Sequence, residues 1–457
     1  MLPARRGFEG DRVRRRGPTR RPNDPQTLRN RALNPLLSIK RHLTPAQINV
    51  YFSIFCFFCP PVLGSAVSFV FIGGGLWSGV LLALKRRRFN FDPPMLAITV
   101  AIYVYCAAYL LASAVNNALG ADAPHLVALV TFLLFPISYS TWSITAKATL
   151  ARIVVVASMA ACFGALVLAV VQYYWLGMRA EGGAGNAIPF ATVTCLGVMM
   201  CMAGALSGIE RAKGLLIPAV LAGIIAILYS GTRIIWVAIP VSGIAVLLIN
   251  RRRLEQASLA RLLLIAAVMS LVIAILGFHI VSERADFLFS DWDALAKGDH
   301  ATATGLRVAL WQIGLGAFRD APIFGHGIAA SQALMKQGFH DQFGMAMGFS
   351  HFHNGFLTAL VQAGLAGAIT LAAIFAVAAW NAAKVLRVSA DPIERFGATM
   401  VAVTVIVYLI GGMTGILLGH DILDSTFMVF VVSGTYLASG RQQRLPQEPA
   451  AAIAPAT

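Results

Sequence analysis

The sequence predicts an all-α fold, that of a polytopic membrane protein with about 12 transmembrane helices and a large periplasmic loop containing an amphipathic helix. Of its 457 residues, 58% are hydrophobic and only 12% are charged, whereas charged residues make up about a quarter of a typical soluble domain. The apolar runs are also long enough to cross a bilayer as helices. This composition excludes a soluble enzyme and a disordered regulator.

Twelve apolar runs are each interpreted as one membrane-spanning helix. They lie near residues 47–62, 65–84, 95–115, 124–143, 152–176, 189–207, 214–230, 233–249, 261–281, 354–380, 397–418 and 421–439. Only Pro60, Pro61 and Gly64 divide the first two runs. Two short helices are expected there, because one helix of about 40 residues would overshoot a bilayer about 30 Å thick.

The basic residues predict the orientation of these helices. With the N-terminus inside, 29 of the 36 Lys and Arg residues fall on the inner side and 7 on the outer side, as the positive-inside rule requires. Both termini are therefore expected in the cytoplasm. The predicted division is a basic disordered cytoplasmic tail (1–45), helices one to nine (46–281), a periplasmic loop (282–352), helices ten to twelve (353–439) and a disordered cytoplasmic tail (440–457).

The N-terminal tail holds 12 basic and 3 acidic residues and supplies much of the net charge of +16. Beside a membrane domain, such a tail is expected to rest on the anionic lipids of the inner membrane rather than on nucleic acid. The six cysteines all lie inside apolar runs. They are expected to be buried free thiols with no redox or metal role.

Three arginines and two histidines on the predicted outer side are the candidates for chemistry. Arg233 interrupts two apolar helices that are joined by almost no loop. Arg307 and Arg319 lie in the loop segment 305–320, where Leu306, Leu310, Ile313 and Ala317 recur at helical spacing and predict an amphipathic helix. An arginine at a membrane boundary can instead merely extend its charge to water, and loop arginines can be solvated surface residues.

The loop re-enters the membrane at Ser350-His351-Phe352-His353-Asn354. Histidine is the side chain best suited to general-base catalysis near neutral pH, so one histidine of the pair is a candidate catalytic residue. Asp291 and Asp293 have the DxD form that some metal-dependent glycosyltransferases use, but carboxylates also solubilise any exposed loop. We therefore predict neither a metal site nor a cofactor.

The order of these motifs resembles that of the O-antigen ligase and O-antigen polymerase superfamily, membrane glycosyltransferases of GT-C-like fold. The resemblance is carried by the Ser-x-x-Arg turn at Arg233, by GLRVALWQIGLGAFRDAPIFGHG (305–327) and by HFHNGFLTALVQAGLAG (351–367). It covers about residues 190–380. The remainder of the chain matches only in its number of helices.

The resemblance implies a metal-independent transfer of glycan from undecaprenyl diphosphate to an acceptor hydroxyl, on the periplasmic face of a bacterial inner membrane. Arg233 and Arg307 match the diphosphate-binding arginines of the family, and His353, directly before Asn354, matches its essential histidine. His351 is a second candidate for the base. Together with Asn354 and Arg319, it is otherwise expected to contact substrate.

The resemblance leaves the acceptor open. A ligase would transfer the glycan to lipid A-core, whereas a polymerase would transfer it to a growing O-antigen or exopolysaccharide, and a protein O-oligosaccharyltransferase shares the same donor. The alternatives outside the family are a twelve-helix transporter or a flippase of lipid-linked glycans. A non-catalytic subunit of a polysaccharide-export complex is a weaker third alternative.

Overall fold

A computed structural model describes residues 44–209, 213–251 and 285–443, together with residues 271, 275, 278 and 282. The chain divides into two units, residues 1–45 and 46–457, and everything below concerns the second. Most of the predicted helix at 261–281 and most of both predicted tails lie outside the described residues. The described part contains helices and connecting turns, without a strand.

Fifteen helices within these described residues are labelled in chain order. They are α1 (Pro45–Leu63), α2 (Ala66–Ala83), α3 (Pro93–Val115), α4 (Leu119–Leu126), α5 (Leu129–Leu133), α6 (Phe135–Trp142), α7 (Lys147–Val170), α8 (Ala187–Ser207), α9 (Lys213–Ser230), α10 (Arg233–Ile249), α11 (Ala303–Asp320), α12 (Ile328–Phe343), α13 (Gly355–Val388), α14 (Pro392–Gly411) and α15 (Asp421–Ser439). Residues 285–296 are helical as well.

The all-α polytopic membrane fold predicted from composition is confirmed. Eight helices in the described part of the chain are long and apolar enough to cross a membrane, namely α1, α2, α3, α7, α8, α13, α14 and α15. The shorter helices α9 and α10 are also apolar. The six cysteines are free and buried, as the sequence predicts.

The single helix predicted for residues 124–143 is wrong. That segment and the residues before it form three short helices, α4, α5 and α6, separated by one or two residues each. Pro124 lies inside α4, and Pro136 lies in the first turn of α6. A proline lacks the backbone N–H group and its ring clashes with the preceding turn, so an apolar pattern alone could not keep this stretch helical throughout.

The long helix α13 is broken near its start, where the sequence predicts a continuous helix. Gly364 adopts φ +62°, and the loop segment 322–327 supplies hydrogen-bond partners to the broken turn. His326 N–H and Gly327 N–H donate to the carbonyls of Val361 and Gln362, at 2.9 Å each. A Cβ on Gly364 would lie 2.3 Å from the carbonyl carbon of Ile323. Only glycine fits this conformation and this approach.

Helices α11 and α12 form a small core of their own above the bundle. Leu310, Ile313 and Ala317 of the amphipathic helix are buried with Phe339 of α12 and Phe352. The apolar stripe of this amphipathic helix therefore packs against protein.

Asp122 of α4 anchors α12 to the bundle. Its carboxylate is fully buried, and it accepts hydrogen bonds from Ser113 Oγ at 2.6 Å and from the Ala329 N–H group at 2.7 Å. Ala329 lies in the first turn of α12, where backbone N–H groups lack helical partners. A carboxylate at this position also complements the helix dipole.

Candidate active site

Arg233 begins α10 directly after a tight turn that is fixed by hydrogen bonds. Gly231 adopts φ +62°, and Thr232 Oγ1 donates to the Ala187 carbonyl of α8 at 3.1 Å. Arg179 binds the same turn, because its Nε–H group donates to the Ser230 carbonyl at 3.0 Å. Contacts with α8 and with Arg179 therefore fix the backbone that carries the half-buried side chain of Arg233.

Arg307 lies in the first turns of α11, on a helix capped by Thr302, whose side chain accepts a hydrogen bond from the Gly305 N–H group at 3.1 Å. One guanidinium nitrogen of Arg307 donates to the Ala303 carbonyl at 3.2 Å. Burial and then the charge of Arg233 lower the pKa of Arg307, while Asp291 opposes the shift. Arg233 and Arg307 are therefore close enough for their charges to interact, although 74 positions separate them in sequence.

His353 lies in the turn that closes the loop onto α13. It is one of three described non-glycine residues with positive φ, at +47°, a conformation that is uncommon for such residues and is associated with functional sites. The rings of His353 and His351 are 4.5 Å apart between centroids, and Phe349 packs edge-on against His353 at 5.5 Å.

Burial and the charge of Arg307 lower the pKa of His353, and a hydrogen bond with the Thr414 backbone opposes this shift. Burial, His353 and then His420 lower the pKa of His351 to about 4. Both imidazoles are consequently neutral at pH 7. A neutral imidazole is the form that can accept a proton.

The sequence reasoning missed the α14–α15 loop, residues 412–420, as a wall of this site. The Gly355 N–H group, at the start of α13, donates to the Gly412 carbonyl at 2.8 Å. His420 follows as the N-cap of α15, with Nδ1 3.3 Å from the Asp421 carboxylate. A histidine between two apolar runs was the available signal, and it was the same signal that singled out His351 and His353.

Asn354 and Arg319 occupy different surroundings from those the sequence suggests. Asn354 is the N-cap of α13, and its side-chain oxygen accepts a hydrogen bond from the Leu357 N–H group at 3.0 Å. This geometry gives it a helix-capping role. Arg319 is exposed near the C-terminal end of α11. Twelve residues of helix place its backbone about 18 Å from that of Arg307, so the structure does not bring the two arginines together.

The two acidic residues of the DxD pattern are oriented differently. Asp291 is buried, accepts hydrogen bonds from the backbone and hydroxyl of Thr304 at 3.3 and 3.0 Å, and interacts electrostatically with Arg307. Asp293 is exposed. The observed role of Asp291 is thus to hold the start of α11 beside Arg307.

Several buried polar atoms around this cluster have no hydrogen-bond partner within the described residues. They include Arg307 Nε, His353 Nδ1, Trp311 Nε1 and His300 Nδ1. Leaving a buried polar group unsatisfied costs about 1–3 kcal/mol. A concentration of such groups around two arginines and a histidine is the arrangement expected of a site that binds a polar, anionic ligand.

Residues 218–372 match the family described as O-antigen ligase, a segment that contains Arg233, Arg307 and His353. A curated relative, the exopolysaccharide production protein ExoQ of Rhizobium meliloti, is 37% identical over 106 residues. That match covers 21% of this chain and 23% of the relative, so the chain matches about a quarter of the relative's length. The resemblance predicted from the motifs is confirmed over this segment, in which the chain is similar to the O-antigen ligase and polymerase superfamily.

Proposed function

We propose that this protein transfers a glycan from undecaprenyl diphosphate to an acceptor hydroxyl, without a metal, at the end of the bundle that carries α11 and α12. The observation that carries the proposal is the meeting of Arg233, Arg307 and His353, which come from three separate segments and interact through Arg307. Two like charges held together beside a neutral imidazole are costly unless an anion binds between them.

The arginines would bind the diphosphate of the donor. Guanidinium groups bind phosphate oxygens by bidentate, charge-assisted hydrogen bonds. Negative charge develops on the bridging oxygen as the bond from the anomeric carbon to that oxygen breaks. Donors fixed in advance in a half-buried site stabilise this charge more strongly than water does.

His353 would be the general base. Its neutral ring takes the proton of the acceptor hydroxyl as that oxygen forms a bond to the anomeric carbon, and undecaprenyl diphosphate leaves with the electron pair of the broken bond. Binding of the diphosphate also offsets the charge of Arg307, which otherwise lowers the pKa of His353. Donor binding therefore makes the ring a stronger base when it is needed.

Purified full-length protein in nanodiscs, given an undecaprenyl-diphosphate-linked glycan and its acceptor, tests this proposal by release of undecaprenyl diphosphate. His353→Ala is expected to lower release by about 100-fold or more, the usual effect of losing a general base, and to retain donor binding. His351→Ala, the matched control two residues away, is expected to cost much less.

The reverse order of the two variants would make His351 the base. Near-normal turnover in both would rule out general-base catalysis by either histidine. Movement of intact lipid-linked glycan across the membrane without release of undecaprenyl diphosphate would instead indicate a transporter or flippase.

The acceptor distinguishes two candidate functions. A ligase of the O-antigen type would use lipid A-core, and the matched family description favours it. Growth of an exopolysaccharide is the second candidate, favoured by the name of the relative, an exopolysaccharide production protein. In a deletion strain, full-length chains that accumulate on the lipid carrier would indicate a ligase, whereas single repeat units on the carrier would indicate a polymerase.

A further inference from the structure

A row of aromatic rings extends from the candidate base along the small core formed by α11 and α12. From His351 and His353, it continues through Phe349, Phe339 and Phe343 to His300. Successive ring centroids are 4.5, 5.5, 5.6, 6.2 and 4.7 Å apart. Each spacing lies in or near the range of direct ring contact.

Five of these six rings are only partly covered. Phe339 is fully buried, whereas the other five have intermediate exposure. Exposure alternates along the adjoining segment 344–350, with Met345, Met347 and Phe349 half-buried and the small residues between them exposed. The exposed positions of this segment are therefore the small residues Gly344, Ala346, Gly348 and Ser350, next to rings that are only partly covered.

Polar nitrogens without partners border the same row. His300 Nδ1 and Trp311 Nε1 are buried and have no hydrogen-bond partner in the described part of the chain. Trp311 lies one helical turn after Arg307 and packs with Phe343 and Phe349 against the small core. A purely apolar occupant, such as a lipid chain, would leave these nitrogens unsatisfied.

A carbohydrate ring can pack on the partly covered aromatic rings and can also form hydrogen bonds with the polar nitrogens. Its C–H faces pack on aromatic rings, and its hydroxyls both donate and accept hydrogen bonds, which is how aromatic surfaces with a few polar groups recognise ligands. One end of the row is the pair His351 and His353, beside which the proposed reaction places the anomeric carbon. We propose that this aromatic row is a glycan-binding subsite that holds a sugar of the donor or acceptor glycan beyond the reacting bond.

This inference rests on the proposed function, and its test separates the sugar from the lipid carrier. Two probes are bound to full-length protein in nanodiscs: bare undecaprenyl diphosphate, and the undecaprenyl-diphosphate-linked glycan extracted from the host strain. The variant is Phe343→Leu, which removes a ring from the row and keeps an apolar side chain of similar size. The control is Phe289→Leu, in the helical segment 285–296, at a side chain that is 70% exposed and lies outside the row.

In Phe343→Leu, the affinity for the glycan-linked carrier is expected to fall about fivefold, in line with the loss of one aromatic contact. The affinity for bare undecaprenyl diphosphate should stay as in the wild type. His300→Gln removes the imidazole ring at the end of the row and leaves Phe343 intact. It is expected to reproduce this selective loss. Phe289→Leu should bind both probes like the wild type.

Equal affinity of wild type and both row variants for the glycan-linked carrier would overturn the subsite, as would an equal loss of both probes. A wild-type protein that releases no undecaprenyl diphosphate but still shows the selective loss in Phe343→Leu would refute the transfer reaction and support the subsite. Normal transfer by the wild type, with no effect of the row variants on binding or on KM, would support the transfer reaction and refute the subsite.

Discussion

At the scale of single residues, the unusual feature of this molecule is the concentration of positive charge beside neutral histidines. Arg307 interacts electrostatically with both Arg233 and His353, and its own pKa is lowered by burial and by Arg233. Both arginines approach each other because backbone contacts fix them, through the Thr232 turn and the Thr302 cap. The arrangement stores electrostatic repulsion that a bound diphosphate would relieve.

Replacing either arginine by lysine tests whether the fork of the guanidinium group matters. Arg233→Lys and Arg307→Lys keep the charge but lose bidentate hydrogen bonding, so transfer is expected to fall about 10-fold or more in each, consistent with the loss of one or two charge-assisted hydrogen bonds of about 1.5–3 kcal/mol. The measurement is kcat/KM for undecaprenyl diphosphate release. Arg86→Lys, in the exposed turn after α2, is the control and should behave like the wild type. Wild-type activity in Arg307→Lys would show that α11 only shields the site.

The lowered pKa of His353 predicts the pH dependence of transfer. The base is active when neutral, so activity is retained above its pKa and lost as the pH falls through it. Burial and Arg307 shift this pKa below its ordinary value of 6.5, and the acid limb of kcat/KM is therefore expected below pH 6.5. The acid limb of kcat should lie at higher pH, because the bound diphosphate offsets the charge of Arg307. Coincident limbs would show that donor binding does not affect the pKa of the base.

At the scale of elements, two junctions fix the loop helices to the bundle. The segment 322–327 hydrogen-bonds to the broken turn of α13, and Asp122 holds the first turn of α12. Helix α12 then packs on α11, where a Cβ on Gly338 would lie 2.6 Å from Ile313. Since α11 carries Arg307, the position of this arginine depends on a carboxylate in a different part of the chain.

Asp122→Ala tests this dependence. The change leaves the Ala329 N–H group and Ser113 Oγ without their partner, at a cost of about 1–3 kcal/mol of stability. Hydrogen exchange over residues 328–343 should become faster, and kcat/KM for transfer should fall although Asp122 contacts no substrate. Asp341→Ala removes an exposed carboxylate from the same helix and should change neither measurement. Unchanged exchange in Asp122→Ala would show that α12 is held by its apolar contacts alone.

At the scale of the whole molecule, the polytopic helical fold places the candidate site at one end of the bundle. Helices α14 and α15 approach closely in its interior, where a Cβ on Gly397 would lie 2.5 Å from the Ala438 nitrogen. Small residues allow this approach in membrane proteins, in which helices gain stability from close packing rather than from the hydrophobic effect. The interior is therefore tightly packed, whereas the interacting arginines and histidines lie where α11, the 351–354 turn and the start of α10 meet.

The topology itself is a prediction of the distribution of basic residues. A reporter fused at Ala333, an exposed residue of α12, is expected in the periplasm, and reporters at both termini are expected in the cytoplasm. Alkaline phosphatase and green fluorescent protein fusions measure the two sides. A cytoplasmic signal at Ala333 would show that the predicted orientation is wrong, and the proposed reaction would then lie on the cytoplasmic side of the membrane.

The sequence by itself determined the fold class, most helix positions and the resemblance to a family, because long apolar runs and ordered motifs are local properties of the chain. The sequence pattern did not predict the helix breaks at Pro124 and Gly364. A hydrophobic pattern indicates which residues are buried, but not where a backbone hydrogen bond of the helix is lost or is replaced by one from another segment. Only the tertiary structure showed that Arg233, Arg307 and His353 lie close together, that Arg319 lies apart from Arg307, and that His420 lies near His351. Electrostatic interaction depends on distance in space, and a distance across 74 positions of chain is decided by packing rather than by spacing in the sequence.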